Sequence, residues 1–572
     1  MKGEASVEVL ASSKRDAEGI AGALAALGIR VRRGAPLRIV IAEDYLSAAL
    51  AKLNEDALAN HKAWLLARPY GRQQWLGPLF VPERTACWEC LAYRLRVNGW
   101  TAAASIGTRR AATFASLATE AAKWLFTGEN AELEGQIRSV DSGACEIQTH
   151  AVIRRPQCPA CGGRRAAITD VGLMRHISPV TGIISQLERL PDRRGFSVYF
   201  AQGSQIFRPD HSGRCFLANR MTAAGGGWID AEARACCLGE AIERYSTQFH
   251  GDEPRVPGSY RELQRHALDP GALMQFSEEQ YRKRESWNRR HGSFHRVPEP
   301  FDGESRIEWT EVRNLAGDRP RYVPTAYCYL GYGVKYCGAD TNGCAAAPAW
   351  EEAVLRGFLE LVERDAVALW WYNRARRPAA DLGSFSSARI ALAVEWICLR
   401  NRRLHVLDVT TDLGIPAMVA ISAKRNASRA LIGSAAALDA EMAVWRALTA
   451  LAKHVAFAES GHRSPSTQGQ AFLLPARGAR LTAADYRPLA SGSLQKDIQT
   501  CLRIARRAGL EIYTLDMTRP EVNLPVARVI VPGLRHWWAR FAPGRLYDVP
   551  AALKWRRRKL KESELNPVPF FL

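Results

Sequence analysis

The first 165 residues alternate between helix-like and buried-strand patterns. Residues 37–42 (LRIVIA) have the composition of a buried strand, and helix-like stretches flank them at residues 16–27 and 47–60. A stretch punctuated by Gly and Pro follows, and an Ala-rich segment at residues 111–126 predicts a third helix. The pattern indicates a small β-α-β unit, too short to be a complete nucleotide-binding domain.

From about residue 170, long helix patterns alternate with short runs rich in β-branched residues. This alternation is typical of a mixed α/β (α+β) domain of catalytic size, so we predict two parts, residues 1–165 and 166–572. Strands are predicted at residues 196–200, 321–329, 404–410, 417–422, 510–515 and 526–531. Helices are predicted at residues 230–249, 349–372, 388–401, 439–457 and 494–508.

Composition narrows the class of protein. The chain has 572 residues, of which 47% are hydrophobic and 24% charged, as in ordinary globular proteins. It shows neither a signal peptide nor an apolar run of the ~20 residues needed to cross a bilayer, so we expect a cytoplasmic protein without membrane contact. The net charge of +20 comes from scattered arginines, which argues against nucleic acid; an anionic small ligand or an acidic peptide is compatible with it.

Two C-x-x-C pairs stand out among the 13 cysteines, Cys87 with Cys90 and Cys158 with Cys161. Each pair puts two thiolates on one tight turn, and two such turns supply the four sulfur ligands of a tetrahedral zinc site. One pair alone is also compatible with redox chemistry, but two pairs favour structural zinc, since four sulfurs leave no open position for catalysis. We predict that zinc braces residues 1–165 as a docking or peptide-binding unit, with the third helix packed between the pairs.

A second motif, E-x-x-E-R, occurs twice, as Glu240-Ala-Ile-Glu243-Arg244 and Glu360-Leu-Val-Glu363-Arg364. On a helix, positions i, i+3 and i+4 share one face, so each copy presents two carboxylates beside a guanidinium. One copy in isolation is typical of a solvated face, but apolar flanks indicate buried helices here. Glu352 falls near the same face, and five converging carboxylates require hard cations between them. Acids with arginines suggest Mg²⁺ and a nucleoside triphosphate, and the run Gly225-Gly226-Gly227 is a weak signal for close approach of a phosphate.

Several segments together resemble YcaO-domain proteins, and more narrowly the cyclodehydratase D proteins of thiazole/oxazole-modified peptide pathways. The segments are residues 233–246, 341–366 and 566–572, supported by residues 87–95 and 534–550. The similarity runs from about residue 38 to the last residue. It implies ATP-dependent cyclodehydration of Cys, or of Ser or Thr, in a ribosomal precursor peptide, through phosphorylation of the backbone amide oxygen.

The resemblance also implies roles for residues. Glu240, Glu243, Glu352, Glu360 and Glu363 would hold Mg²⁺ and ATP, while Arg244, Arg364 and Arg446 would bind nucleotide, with Arg535 nearby. The tail, with Pro567, Pro569 and Leu572, would enter the active site and help to place the catalytic base.

Four positions depart from the family pattern. Gly226 stands where a lysine is expected, Cys236 for serine, Pro348 for asparagine, and Ala450 within an expected Thr-Glu pair. The alternative interpretation is therefore a degenerate scaffold that binds peptide or a partner enzyme without ATP turnover. Because no winged-helix-like leader-binding module is recognised, we expect a separate leader-binding protein, with a homodimer and a flavin-dependent azoline dehydrogenase as further expected partners.

Overall fold

The computed structural model describes most of the chain and divides it into fifteen helices and twenty-two strands within the described residues. The described residues are 5–100, 111–141, 143–162, 172–191, 195–205, 207–209, 215–217, 221–263, 265–292, 295–317, 320–425, 429–461, 466–468, 470–478 and 480–570. The helices are α1 Lys14–Ala25, α2 Ala48–Ala59, α3 Trp88–Val97, α4 Ala111–Thr127, α5 Asp230–Ser246, α6 Tyr260–Leu263, α7 Pro270–Met274, α8 Glu278–Arg282, α9 Arg284–Arg290, α10 Thr325–Cys328, α11 Trp350–Asn373, α12 Ala388–Cys398, α13 Ala440–Glu459, α14 Leu494–Arg507 and α15 Arg545–Ala552.

The strands form one large N-terminal sheet and several smaller sheets after it. The strands are β1 Ser6–Ala11, β2 Arg30–Val31, β3 Leu37–Ile41, β4 Ala63–Arg68, β5 Gln73–Phe80, β6 Gln136–Asp141, β7 Glu146–Ala151, β8 Ile184–Arg189, β9 Ser197–Gly203, β10 Phe207–Pro209, β11 Cys215–Leu217, β12 Thr222–Gly227, β13 Val256–Gly258, β14 Ile307–Asn314, β15 Pro320–Pro324, β16 Cys344–Ala346, β17 Arg402–Asp408, β18 Ala417–Lys424, β19 Arg429–Ala436, β20 Thr467–Gln468, β21 Tyr513–Asp516 and β22 Val526–Ile530.

The N-terminal sheet has the order β2-β1-β3-β4-β5-β6-β7, with parallel pairing from β2 to β4 and antiparallel pairing beyond. Alternate residues of its central strands face opposite sides, as the period of a strand requires. Val40 and Trp64 pack with α2 and α3, whereas Ile39 and Leu65 pack with α1 and α4. Both faces of the sheet are therefore covered by helices.

The larger C-terminal part is built around the apolar helix α11. This helix lies between a six-stranded sheet (β13-β14-β21-β22-β16, with β15 on β14) and a four-stranded sheet (β17-β18-β19-β20). Helix α5 packs on β12 and β9 and also contacts β16, so α5 and α11 approach each other at β16. Helix α13 covers β18 and β19 and reaches β12. The mixed α/β class predicted from the sequence is confirmed.

Two predicted elements differ in the structure. Residues 321–329 were expected to form one strand, but β15 ends at Pro324 and residues 325–328 form a short helix. Proline lacks the amide hydrogen that a ladder needs, and it is well suited to start a helix. The third helix, α4, packs on the sheet face opposite the four cysteines, so its predicted position between the two pairs is wrong.

The boundary at residue 165 falls between described residues and stays a prediction. None of the helices in the described part of the chain is both long and apolar enough to cross a membrane.

Candidate functional site

A cavity of about 1790 Å³ opens between α5, α11, α13 and the loops that lead into β16. Four of the five predicted acids line it, together with both motif arginines. The residues that line the cavity include Glu240, Glu243, Arg244, Glu360, Glu363, Arg364, Asp340, Asn342, Ser434, Lys453, Trp537 and Arg540. The two E-x-x-E-R helices thus deliver their charged faces into one space.

On α11, the Arg364 guanidinium donates hydrogen bonds to three side chains. Its Nη1 donates to Glu363 Oε1 at 2.5 Å, its Nη2 donates to Glu360, and its Nε donates to Asn342 Oδ1 at 3.0 Å. Glu360 Oε2 also accepts the backbone N–H of Gly343 at 3.1 Å. Charge-assisted hydrogen bonds of this kind fix side-chain geometry, so the face is organised before any ligand arrives.

On α5, the second motif is arranged in a similar way. Arg244 donates to Glu240 and to the carbonyl oxygen of Thr222, and Glu240 Oε2 accepts the N–H of Ala224 at 3.2 Å. The side chain of Glu243 makes no hydrogen bond to another described residue, although it faces the same cavity. Its carboxylate is therefore available to an incoming cation.

The carboxyl groups of the cavity repel one another electrostatically. Burial, followed by repulsion from Glu360 and Glu240, raises the pKa of Glu243 well above its ordinary value. Burial raises the pKa of Glu360 to about 7, against the opposing charge of Arg364. Burial also raises the pKa of Glu363. A divalent cation among these oxygens would lower all three pKa values, because it stabilises the ionised carboxylates.

Glu352 and Arg446 stand at the edge of this group. Glu352 pairs with Arg356 at 2.5 Å on α11, and Arg356 rather than Glu352 lines the cavity. Arg446 on α13 acts on Glu363 by opposing the rise of its pKa. Arg535 donates to the carbonyl oxygen of Pro543 and does not line the cavity.

Sequence reasoning gave no role to a buried network beside α11. Trp538 donates its backbone N–H to His536 Nδ1 at 3.1 Å, and His536 Nε2 lies 2.9 Å from Asp340 Oδ2 and 2.6 Å from Asn342 Nδ2. Burial lowers the pKa of His536 to about 4, which keeps the ring neutral. Asn342 contacts the same ring and holds Arg364, so the network positions the motif arginine. In the sequence, residues 341–343 and 534–536 support the resemblance to the family, but no role was predicted for them individually.

The C-terminal tail packs against the end of α11. Trp371 Nε1 donates to the carbonyl oxygen of Val568 at 2.7 Å, and the Phe570 ring lies 4.9 Å from Trp371 and 5.4 Å from Trp537. Trp537 also contacts the Arg364 guanidinium, which lies 3.6 Å from the ring centroid. Pro567 is exposed and Pro569 half-buried, and neither lines the cavity; Leu572 lies outside the described residues.

The two C-x-x-C pairs come together in space. The Sγ atoms of Cys87 and Cys158 are 3.5 Å apart, those of Cys90 and Cys161 are 3.6 Å apart, and all four lie within 4.8 Å of one another. A tetrahedron with zinc–sulfur bonds of about 2.3 Å has sulfurs just under ~4 Å apart, so the set fits zinc. A Cβ on Gly162 would lie 2.4 Å from the carbonyl oxygen of Cys158, which explains the glycine that closes the second turn.

The glycine run at residues 225–227 has a packing explanation. A Cβ on Gly225 would lie 2.2 Å from the backbone nitrogen of Cys237. The glycine therefore lets β12 lie directly against α5, and this close contact accounts for it without a phosphate. Of the other departures, Cys236, Pro348 and Ala450 all line the cavity.

Solved structures of high similarity cover nearly the whole chain. A heterocyclase in complex with substrate and cofactor matches with a TM-score of 0.86 and 34% identity, covering 99% of this chain and 85% of that chain. The heterocyclase TruD matches with a TM-score of 0.80 and 34% identity, covering 100% of this chain and 84% of that one. An uncharacterized protein of Methanothermobacter thermautotrophicus is 28% identical over 335 residues, which are 54% of this chain and 81% of the relative.

The fold and the acid-lined cavity define an α/β enzyme whose site is suited to a divalent cation and a polyanionic ligand. The sequence model of the family described as YcaO cyclodehydratase, ATP- and Mg²⁺-binding, matches residues 224–535, more than half of the chain. The chain therefore belongs to the YcaO cyclodehydratase family, and the predicted membership and enzyme class are confirmed.

Proposed function

We propose that this protein cyclodehydrates Cys, or Ser or Thr, in a ribosomally made precursor peptide, with ATP as co-substrate. The observation that carries the proposal is the convergence of both E-x-x-E-R faces in one cavity, where the pKa values of three carboxyls are raised. The cavity, about 1790 Å³, exceeds the ~300–1,000 Å³ typical of small-molecule sites, so a nucleotide and a peptide segment fit together.

The proposed reaction needs neither an oxidant nor a reductant. The side-chain thiol or hydroxyl adds to the preceding carbonyl carbon and loses its proton, and the resulting oxyanion takes the γ-phosphoryl group, leaving ADP. Departure of phosphate, with loss of the amide proton, gives the thiazoline or oxazoline. Phosphorylation turns a poor leaving group into a good one, and Arg364, which lines the cavity, is proposed to stabilise its charge.

Glu240, Glu243, Glu360 and Glu363 are the proposed Mg²⁺ ligands, with Glu352 behind them beside Arg356. Mg²⁺ prefers oxygen ligands shared with phosphate, and it would neutralise charge on the transferring group. Arg244, Arg364 and Arg446 are proposed to bind the nucleotide. The tail residues Pro567, Pro569 and Leu572 are proposed to enter the active site and to help place the catalytic base.

The test of the reaction is mass spectrometry of a precursor peptide incubated with this protein, a leader-binding partner protein and MgATP. We expect loss of one water mass for each cyclised residue, dependent on ATP. A peptide that keeps its mass under these conditions would count against the enzyme.

The second candidate is the scaffold without ATP turnover, favoured by the departures at Gly226, Cys236, Pro348 and Ala450. Calorimetry with MgATP separates the two, since catalysis requires binding that Glu243→Ala abolishes. An absence of binding with every partner present would favour the scaffold.

Structural zinc in the four-cysteine site is proposed on the sulfur geometry. We expect about one zinc per chain in the purified protein, lost in Cys158→Ser but retained in Cys398→Ser, a matched control at an exposed thiol far from the pairs along the chain. A native protein free of zinc would overturn this assignment. The separate leader-binding protein, the dehydrogenase, the homodimer and the cytoplasmic location also remain proposals.

A further inference from the structure

Lys453 is a half-buried cation of α13 that lines the acid-walled cavity. Among the described residues, the hydrogen-bond acceptor of Lys453 Nζ is the carbonyl oxygen of Ala224, at 3.4 Å. The neighbouring cavity arginines differ, because Arg244, Arg356 and Arg364 each pair with a carboxylate. No carboxylate among the described residues lies within ion-pair distance of Lys453. Its ammonium therefore has no counterion in this part of the chain.

The position of this amine is defined by strand β12. Ala224 accepts from Lys453 through its carbonyl oxygen and donates its N–H to Glu240 Oε2 at 3.2 Å. A proposed Mg²⁺ ligand and an unpaired ammonium therefore flank the same residue. A partly buried cation without a counterion carries a desolvation cost, which an anionic ligand would offset.

We propose that Lys453 binds a phosphate oxygen of the nucleotide beside the cation held by Glu240. The inference rests on the proposed ATP-dependent function and names a residue that neither motif contains. The ligand class is a nucleoside polyphosphate, since its oxygens bridge a divalent cation and a lysine ammonium at neighbouring points.

The surroundings of Lys453 explain why this lysine comes from α13. A Cβ on Gly226 would lie 3.2 Å from Lys453 Cβ and 3.0 Å from the Phe196 ring. A side chain at residue 226 would therefore be crowded by the β-carbon of residue 453 and by Phe196. Ala450, one helical turn before Lys453, also lines the cavity and offers no carboxylate to neutralise it. Neither Gly226 nor Ala450 carries a charged side chain, so the ammonium of Lys453 is the cation that this part of the cavity wall offers.

The test is calorimetric titration of the full chain with MgATP. We expect Lys453→Met to weaken ATP binding by about tenfold or more, the effect of losing one charge-assisted hydrogen bond. Lys453→Arg is expected to retain most of the affinity. Lys496→Met on the exposed face of α14 is the matched control and should bind as the wild type does.

Unchanged ATP affinity in Lys453→Met would overturn the proposal. Equal losses of ATP affinity in Lys453→Met and Lys453→Arg would also overturn it, since they would show that the side-chain shape matters and the positive charge does not. If the wild type binds no ATP, the proposed function fails together with this inference; if the wild type binds and Lys453→Met binds equally well, this inference fails alone.

Discussion

At the scale of single residues, the carboxyl groups of the cavity are buried close together. A bound cation would reduce the repulsion between them. Glu360 shows this most clearly, because its pKa is raised to about 7 by burial even though Arg364 lies beside it. A carboxyl whose folded-state pKa lies above its unfolded value binds more protons when folded. Its contribution to stability is therefore complete below about pH 4.5 and is lost as the pH rises through about 7.

We predict that the Mg²⁺-free protein loses free energy of unfolding between pH 5 and 8 through Glu360, on the order of 2–3 kcal/mol. Glu360→Gln should flatten this part of the profile, since an amide does not titrate. Urea unfolding at several pH values, in buffer without Mg²⁺, measures both slopes. Addition of MgATP should reverse the trend in the wild type, because the ligands bind best to ionised carboxylates. Parallel profiles for the wild type and the variant would contradict the prediction.

At the scale of elements, helix α3 joins the cysteine site to helix α5, which carries the first E-x-x-E-R motif. Cys87 caps α3 and Cys90 lies in its first turn, while Arg94 donates from the next turn to the Tyr245 hydroxyl at 3.0 Å. Tyr245 follows the first E-x-x-E-R motif and donates to Glu521 at 2.8 Å. All three side chains of this Arg94–Tyr245–Glu521 chain are buried, so the orientation of α5 depends on α3.

We expect Arg94→Met to lower the free energy of unfolding by about 2 kcal/mol, because it leaves the buried Tyr245 hydroxyl without its guanidinium donor, while Glu521 keeps Arg519 at 3.6 Å. Cyclodehydration should fall as well, while the zinc content stays unchanged. Urea unfolding, metal analysis and turnover are the measurements. Arg96→Met, two residues along on the exposed face of α3, is the matched control. Equal behaviour of the two variants would show that the Arg94 contact does not matter.

The elements also show what could be predicted from sequence. Helices α5 and α11 were predicted within a few residues, because apolar flanks and the E-x-x-E-R spacing are local signals. The pairing of the cysteines was predicted equally well, since thiolates have few alternative uses in C-x-x-C pairs. Lys453, Asp340 and His536 were not predicted as site residues, because they reach the cavity through tertiary packing and carry no spacing signal. The prediction of a strand over residues 321–329 was wrong beyond Pro324, because the strand pairing ends at this proline.

At the scale of the whole molecule, the last residues of the chain support the cavity from behind. Phe570 is buried between Trp371 and Trp537, and Trp537 stacks under the Arg364 guanidinium. Residues far apart in sequence thus form one column, from the tail through an indole to the arginine that faces the cavity. A cation over an aromatic ring is stabilised only while the ring keeps its place.

We therefore predict that Phe570→Ala lowers turnover by about tenfold or more through a misplaced Arg364, while the protein remains folded. The cost in stability should be smaller than for a central core residue, because a docked terminus opens locally without global unfolding. Val568→Ala is the matched control, since Val568 is 46% exposed and contacts Trp371 through its backbone carbonyl oxygen. Turnover and thermal unfolding of both variants check the prediction. Wild-type turnover in Phe570→Ala would show that Trp537 and Arg364 hold their positions without the tail.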